Sequence, residues 1–452
     1  MKLLPLLLLS FSAISCASTS KVTPPNNSFL LTNINIVDVE NRRIQSDKSV
    51  LVRDGKIQEV TDASEQYATS TLNVINGQGG YLTPGLIDMH VHMYERAAFT
   101  LAMSHGVTHV RIMNGIPKQL EWRDQIASGE LIGSSATVSS PIVSAYDTYL
   151  HHTALTAEQA QAAVKTYQSQ GYDLIKAYGN LNEEALTALI NTAKLAGIPV
   201  AKHGPHASGD MPLSSLTGMQ SLEHIEDIFQ GPLNYTFSSD QLPTISQEIK
   251  AIDVPVTPTL NIFYQLTKLS DEKEQFLATI PKDYNSDIIA LEASKNQVVR
   301  WLTASDRMAQ HNNKTLTFLK KITKAFHDAR VTLLVGSDSG ALLSPHGLAT
   351  HNEMKLMQES GIDVFDVLAA ATINPAKALK LDDKMGKISA FYNADFIFTQ
   401  VNPVNNLSAL KSPDAVIKKG VYYSRQDLAK LRETAINSRS IWEELGALFE
   451  AF

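Results

Sequence analysis

The stretch LTPGLIDMHVHM, residues 82–93, decides the fold: Leu86 to His90 is an apolar, strand-like run, and two histidines stand at its end. Moving outward, similar runs recur at Val107 to Met113, Ala136 to Val143, Leu174 to Ala177, Ile198 to Lys202, Met219 to Glu223, Val254 to Leu260 and Val331 to Gly336. Helical patterns lie between them, such as AEQAQAAVKTYQSQG (157–171) and NEEALTALINTAKLAG (182–197), the second closed by Gly197 in a C-cap position. Eight strands alternating with helices predict an α/β fold, a (β/α)8 TIM-like barrel over residues 84–381. An open doubly wound sheet is the structural rival, yet no GxGxxG follows the first strand. The long section from Ile225 to Arg330 holds one clear strand and at least two helical stretches, so it carries extra loop structure.

The chain ends read differently. Residues 29–83 alternate in hydropathy and turn at Asp54-Gly55, as short antiparallel strands do. The same signal returns at Gly386 to Ile388, Asp395 to Thr399 and Ala415 to Tyr423. Neither piece has enough core alone, so residues 29–83 and 382–424 are expected to form one small β-sandwich with the barrel inserted between them. Residues 425–452 read as an amphipathic closing helix.

The first 16 residues, MKLLPLLLLSFSAISC, have Lys2, an apolar run and a small residue before Cys16, the pattern of a secretion signal too short to span a bilayer. Ala13-Ile14-Ser15-Cys16 resembles a bacterial lipobox, which implies lipidation of Cys16 and a lipid-anchored protein of the bacterial cell envelope. The alternative is a soluble periplasmic or secreted protein. Residues 17–28 are rich in Ser, Thr, Pro and Asn and read as a tether. Cys16 is the only cysteine among 452 residues, which excludes a disulfide framework, a thiolate zinc site and an iron–sulfur cluster. With 39 Lys and Arg against 46 Asp and Glu, a net charge of -7, the chain has no electrostatic footprint for nucleic acid.

A barrel of this kind carries its chemistry at the carboxyl ends of its strands. His90 and His92 end the first strand, two apart, and so share one face. Lys176 ends the fourth, His203 the fifth and His224 the sixth, and Asp338 follows the eighth. An isolated histidine on a strand is ordinarily a surface or satisfied core residue. Six metal-capable residues at one rim are another matter, because separately placed residues gain nothing by sharing that register. Lys176 fits such a set only as its carbon dioxide adduct: a protonated ammonium has no lone pair, whereas a carbamate offers two oxygens that can bridge two ions.

These residues carry a resemblance. The chain looks like a metal-dependent hydrolase of the amidohydrolase superfamily, nearest the imidazolonepropionase-like and Xaa-Pro or Xaa-Arg/Lys dipeptidase (prolidase-like) branch. It does so through LTPGLIDMHVHM, YDLIKAYG (172–179), PVAKHG (199–204), SLEHI (221–225), LLVGSDSG (333–340), HGLATHNEMKLMQESGIDVFDVLAAATINPAKAL (346–379) and MGKISAFYNADFIF (385–398). The resemblance implies two divalent ions, with zinc expected. His90, His92 and Asp338 would hold the more buried ion, His203 and His224 the second, and carboxylated Lys176 would bridge them. Where relatives carry HAHG this chain has His203-Gly204-Pro205-His206, which displaces the second histidine by one place. The carry-over therefore covers His203 and leaves the role of His206 open.

The activity so implied is hydrolysis of a C–N amide bond, in a dipeptide or an N-acyl amino acid, with Asp338 as general acid and base. Tyr178, two residues beyond Lys176, is a candidate donor to a substrate carboxylate; the alternative is aromatic packing. His206 and His346 are further candidate contacts, and for His346 loop or helix capping is the competing reading. Lactone or phosphotriester cleavage, a cyclic amidine or imidazolone hydrolase or deaminase, and a non-catalytic envelope binding protein stand as alternatives. Self-association is an expectation of the resemblance alone.

Overall fold

The computed structural model describes residues 28–63, 72–148, 151–178, 181–204 and 212–451. The expected signal with Cys16, nearly all of the tether, and His206 lie outside the described residues. Two arcs of parallel strand build the barrel. One pairs Leu86–Val91, Val107–Ile112 and Ser135–Val138. The other runs Val256–Thr257, Ser221–Glu223, Val200–His203, Ile175–Ala177, Ile142–Ser144 and His151–Thr153. Parallel bridges Ser139↔Leu174, Val256↔Leu333 and Val91↔Ser339 join the arcs, the last two through the eighth segment.

Three strands depart from the expected runs, of which the seventh, read from Val254 to Leu260, is only Val256–Thr257 because helix Leu260–Asp271 begins at its last residue. The third, read as one run from Ala136 to Val143, is two short strands broken around Pro141, which has no N–H to give a ladder. The eighth makes only isolated bridges, although Met89 N donates to Val335 O at 2.8 Å and Leu334 N to Val256 O at 2.9 Å. Around the ring, helix Ala157–Ser169 starts on a Thr156/Gln159 capping box, and helix Glu183–Ala196 starts on Asn182 and stops at Gly197 with φ 71°.

The expected sandwich takes the form of a single seven-stranded mixed sheet built from both chain ends. In spatial order it runs Val421–Ser424, Ala415–Lys418, Phe396–Thr399, Asn73–Pro84, Phe29–Asp38, Arg43–Arg53 and Lys56–Asp62. Two of its hairpin turns, Asp54-Gly55 (φ 50° and 77°) and Lys419-Gly420 (φ 48° and 73°), are the doubly left-handed turn that matches strand twist. Strand alternation divides its side chains. Phe396 and Phe398 join Phe29, Leu31, Val50 and Ile417 in the sheet's own core, while Ile397 between them joins the barrel core. Gly106 lets the barrel approach there, since a Cβ on it would stand 2.5 Å from Ile397 Cδ1.

The single closing helix expected over 425–452 is two, Arg425–Asn437 and Ile441–Phe449. The break falls where Arg439 turns inward to grip both oxygens of Glu95 at 2.6 and 2.7 Å and the carbonyl of Asp283. Among the described residues no helix is long and apolar enough to cross a membrane.

Candidate metal centre

Strand register brings the rim residues together. Asp338 N donates to His90 O and His92 N to Ser339 O, each at 2.8 Å, so the turn after the eighth strand is laced to the first. His90, His92 and Asp338 each offer one ligand atom, and the three atoms lie within 4.8 Å of one another. His92 Nε2 stands 2.9 Å from Asp338 Oδ1 without the geometry of a hydrogen bond. His90 Nε2 is 3.7 Å from the same oxygen, and His224 Nδ1 is 3.9 Å from Asp338 Oδ2. The rings continue outward, with His90 to His224 at 4.7 Å, His224 to His203 at 4.3 Å and His203 to Tyr178 at 4.2 Å between centroids.

Lys176 is 2% exposed, and its Nζ has no hydrogen-bond partner. Its buried neighbour Lys202 differs, donating to the carbonyls of His203 at 2.6 Å and Gly204 at 2.9 Å. Burial lowers the Lys176 ammonium to about 8, with Glu223 opposing and Arg111 assisting. Burial likewise lowers His90 to about 4 and His224 to about 3, which keeps the imidazoles neutral with lone pairs to offer. Burial alone would raise Asp338, but His90, His92 and His224 hold its carboxyl far below the usual range. Lys176 Nζ, His203 Nδ1 and Asp338 Oδ1 are thus three buried polar atoms without partners. Such atoms cost free energy unless something satisfies them, and the His90, His92 and Asp338 group fits a divalent cation.

Three of the chain's left-handed non-glycine residues stand at this rim. His224, Thr259 and Asp338, after the sixth, seventh and eighth strands, have φ of 68°, 52° and 54°. Non-glycine residues in the left-handed region are uncommon, and a β-branched threonine there is an outlier held by its surroundings.

The sequence model of the amidohydrolase family matches residues 81–422, most of the chain. The protein belongs to the amidohydrolase family. With a His/His/Asp group able to hold a metal ion, it is a metal-dependent member. Among curated relatives, a 5-methylthioadenosine/S-adenosylhomocysteine deaminase of Clostridium tetani is 22% identical over 84% of this chain and 87% of its own length. Among solved structures, bottromycin amidohydrolase superposes with a TM-score of 0.74 at 20% identity, covering 91% of this chain and 90% of its own. A Xaa-Pro dipeptidase with bound methionine gives 0.67 at 20% identity, covering 88% of this chain and all (100%) of its own.

Not every candidate lies at the centre of this amidohydrolase's cluster. His346 is buried with Nδ1 2.9 Å from Ser339 Oγ, against the turn that follows Asp338. His351, in the same stretch, reaches the carbonyl of His105 at 2.7 Å. Sequence reasoning missed Glu223 as a site residue. Fully buried inside the barrel, it accepts from Arg111 Nη2 at 2.6 Å, and its other oxygen is 2.8 Å from His90 Nδ1. Arg111 in turn donates to Met89 O at 2.7 Å and Ser221 Oγ at 2.8 Å. The signal was present: Arg111 and Glu223 are opposite charges placed in otherwise apolar strands, and charges buried in a barrel need each other.

Proposed function

We propose that this amidohydrolase cleaves a C–N amide bond, in a dipeptide or an N-acyl amino acid, at a centre of two divalent ions. His90, His92 and Asp338 would hold one ion and His203 and His224 the other, with zinc expected and Lys176 as a bridging carbamate. The observation that carries the reading is Lys176 itself, a fully buried amine without a partner beside a cluster of neutral imidazoles and one carboxylate. Its neutral nitrogen adds to the carbon of carbon dioxide, one C=O π pair moves to oxygen, and the nitrogen's surplus proton leaves to solvent. When bound, the ions supply Lewis acidity and an acidified water. Asp338 takes the proton that the attacking water gives up and passes it to the departing amine nitrogen, which leaves poorly without it. Tyr178, whose phenol burial pushes up to about 12, stays protonated and donates to the substrate carboxylate. The resemblance to a dipeptidase supports that last assignment, and the ring contact with His203 puts the phenol beside the cluster.

Glu223 serves this centre from behind. By accepting from His90 Nδ1–H it fixes the tautomer that leaves Nε2 free for an ion. Glu223→Gln is therefore expected to weaken metal affinity by about 10–100-fold and also to lower the melting temperature, because it leaves the buried Arg111 guanidinium without its counter-charge. Competition with a chromophoric chelator measures this, and unchanged affinity would reduce Glu223 to a packing partner of Arg111.

The test of the reaction is metal analysis of the protein prepared with bicarbonate and zinc, with the same sample assayed against Xaa-Pro, Xaa-Arg, Xaa-Lys and N-acyl amino acid libraries. About two ions per chain with amine release is the expected result. Turnover confined to lactones, phosphotriesters or cyclic amidines would replace the peptidase reading, the last in favour of a deaminase. Bound metal with no turnover of any of these would favour a binding protein.

A further inference from the structure

The helix Leu260–Asp271 begins without a capping side chain of its own, since the side chain of Thr259 at its N-cap makes no bond to the first turn. The first turn's N–H groups still need an acceptor. Glu353, from helix Leu348–Glu359 and 0% exposed, supplies it: its Oε2 accepts from Asn261 N at 2.6 Å, with Leu260 N also bonding the carboxylate. Its Oε1 has no partner, so Oε2 does the holding. Burial pushes the Glu353 carboxyl up to about 8 while the main-chain N–H bonds oppose the rise, and in either protonation state it offers the helix an acceptor from 92 residues away in sequence.

Two consequences reach the metal centre. Thr259, relieved of capping and held at φ 52°, turns its Oγ1 to His224 Nδ1 at 2.7 Å. Asn261, whose backbone Glu353 grips, donates from Nδ2 to Ser337 O at 2.7 Å and Ser344 Oγ at 2.8 Å, beside Asp338. Asn352, next to Glu353, closes the net by donating to Asn261 Oδ1 at 2.8 Å. All these groups but Asn352 are buried.

We propose that Glu353 is a positioning residue: by capping the helix after the seventh strand in place of Thr259, it frees the Thr259 hydroxyl to orient the His224 ring. With Nδ1–H donating to Oγ1, the lone pair of the His224 ring is left on Nε2. The inference deepens the proposed function, because His224 is a ligand of the second ion only in that reading.

The test uses the full chain labelled with 15N-histidine, metal-free and then titrated with zinc. Imidazole 15N–1H correlations are expected to show a single His224 tautomer, protonated at Nδ1, in the wild-type protein and in Glu353→Gln, which keeps an acceptor at Oε. Thr259→Val, isosteric but without the hydroxyl, and Glu353→Ala should both lose that fixed tautomer. Both should also bind the second zinc about 10–100-fold more weakly, with the first ion unaffected. Should Glu353→Ala fail to fold, Thr259→Val and Glu353→Gln carry the test. A His224 signature unchanged in Thr259→Val, or lost equally in Glu353→Gln, would overturn the proposal. His224→Ala separates the two levels: if it leaves both zinc affinities intact, the ligand reading fails, while the tautomer measurement still decides whether Glu353 and Thr259 orient the ring.

Discussion

Asp338→Asn is expected to lower kcat by on the order of 10²–10⁴-fold, the share a positioned acid–base group contributes, with KM for an amide substrate changed far less. The substitution is informative because of where Asp338 sits. Its φ of 54° puts it in the left-handed region, which asparagine tolerates as well as aspartate does, so the backbone turn survives the change. Its N–H bond to His90 O is a main-chain bond and is also kept. What goes is the negative charge and the capacity to hold a proton between attack and departure of the amine. The three imidazoles around it, at 2.9, 3.7 and 3.9 Å, already keep that carboxyl ionised, so at neutral pH it begins each cycle as a base. Rates measured with metal content and melting temperature on the same preparation decide the point. A variant within tenfold of wild type at full metal content would remove Asp338 from the proton transfer.

The residues that could be read from sequence are those whose position follows from strand periodicity. Leu86 to His90 is apolar because it is buried on every side, and an HxH at its end lands on one face, so His90 and His92 were legible without coordinates. The hairpin turn at Asp54-Gly55 was legible in the same sense, since its geometry demands left-handed residues, whereas the turn at Lys419-Gly420 lies inside Ala415 to Tyr423, which reads as one stretch. What escaped depends on distant partners. Pro141 splits the third strand, and whether a proline breaks a run or sits at its edge depends on which neighbour needs its missing N–H. The C-terminal segment keeps its amphipathic pattern through Arg439, yet breaks there because Glu95 and the Asp283 carbonyl, 344 and 156 residues away, hold the guanidinium. Thr259 falls in the run read as the seventh strand, Val254 to Leu260, so nothing in the sequence signals a helix-capping task at its position. Only the fold shows that Glu353 has taken that task and turned the hydroxyl toward His224.

Lys176→Ala is expected to bind about one ion per chain in place of two and to lose activity on the order of 10³-fold, comparable to deleting a preorganised electrostatic partner of the transition state. Two roles for this lysine compete physically. As a cation it would balance Glu223, whose carboxylate His90 and Arg111 already engage at 2.8 and 2.6 Å. As a carbamate it would be an anion, and its burial without a hydrogen-bond partner would be relieved by metal. Substitution by arginine separates them, because Lys176→Arg preserves the positive charge and cannot form a stable carbamate. The carbamate role predicts that Lys176→Arg is as defective as Lys176→Ala in metal content and rate, and that a short carboxylate such as propionate partly restores Lys176→Ala by occupying the truncated space. It also predicts that wild-type protein prepared free of carbon dioxide takes up its second ion only after bicarbonate is added. Retention of two ions and near-wild-type turnover by Lys176→Arg would assign Lys176 to charge balance. The bridge between the two ions would then have to come from another group at the same rim, with Asp227, 3.7 Å from His203 Nε2 and carrying an unpartnered Oδ2, the carboxylate best placed to supply it.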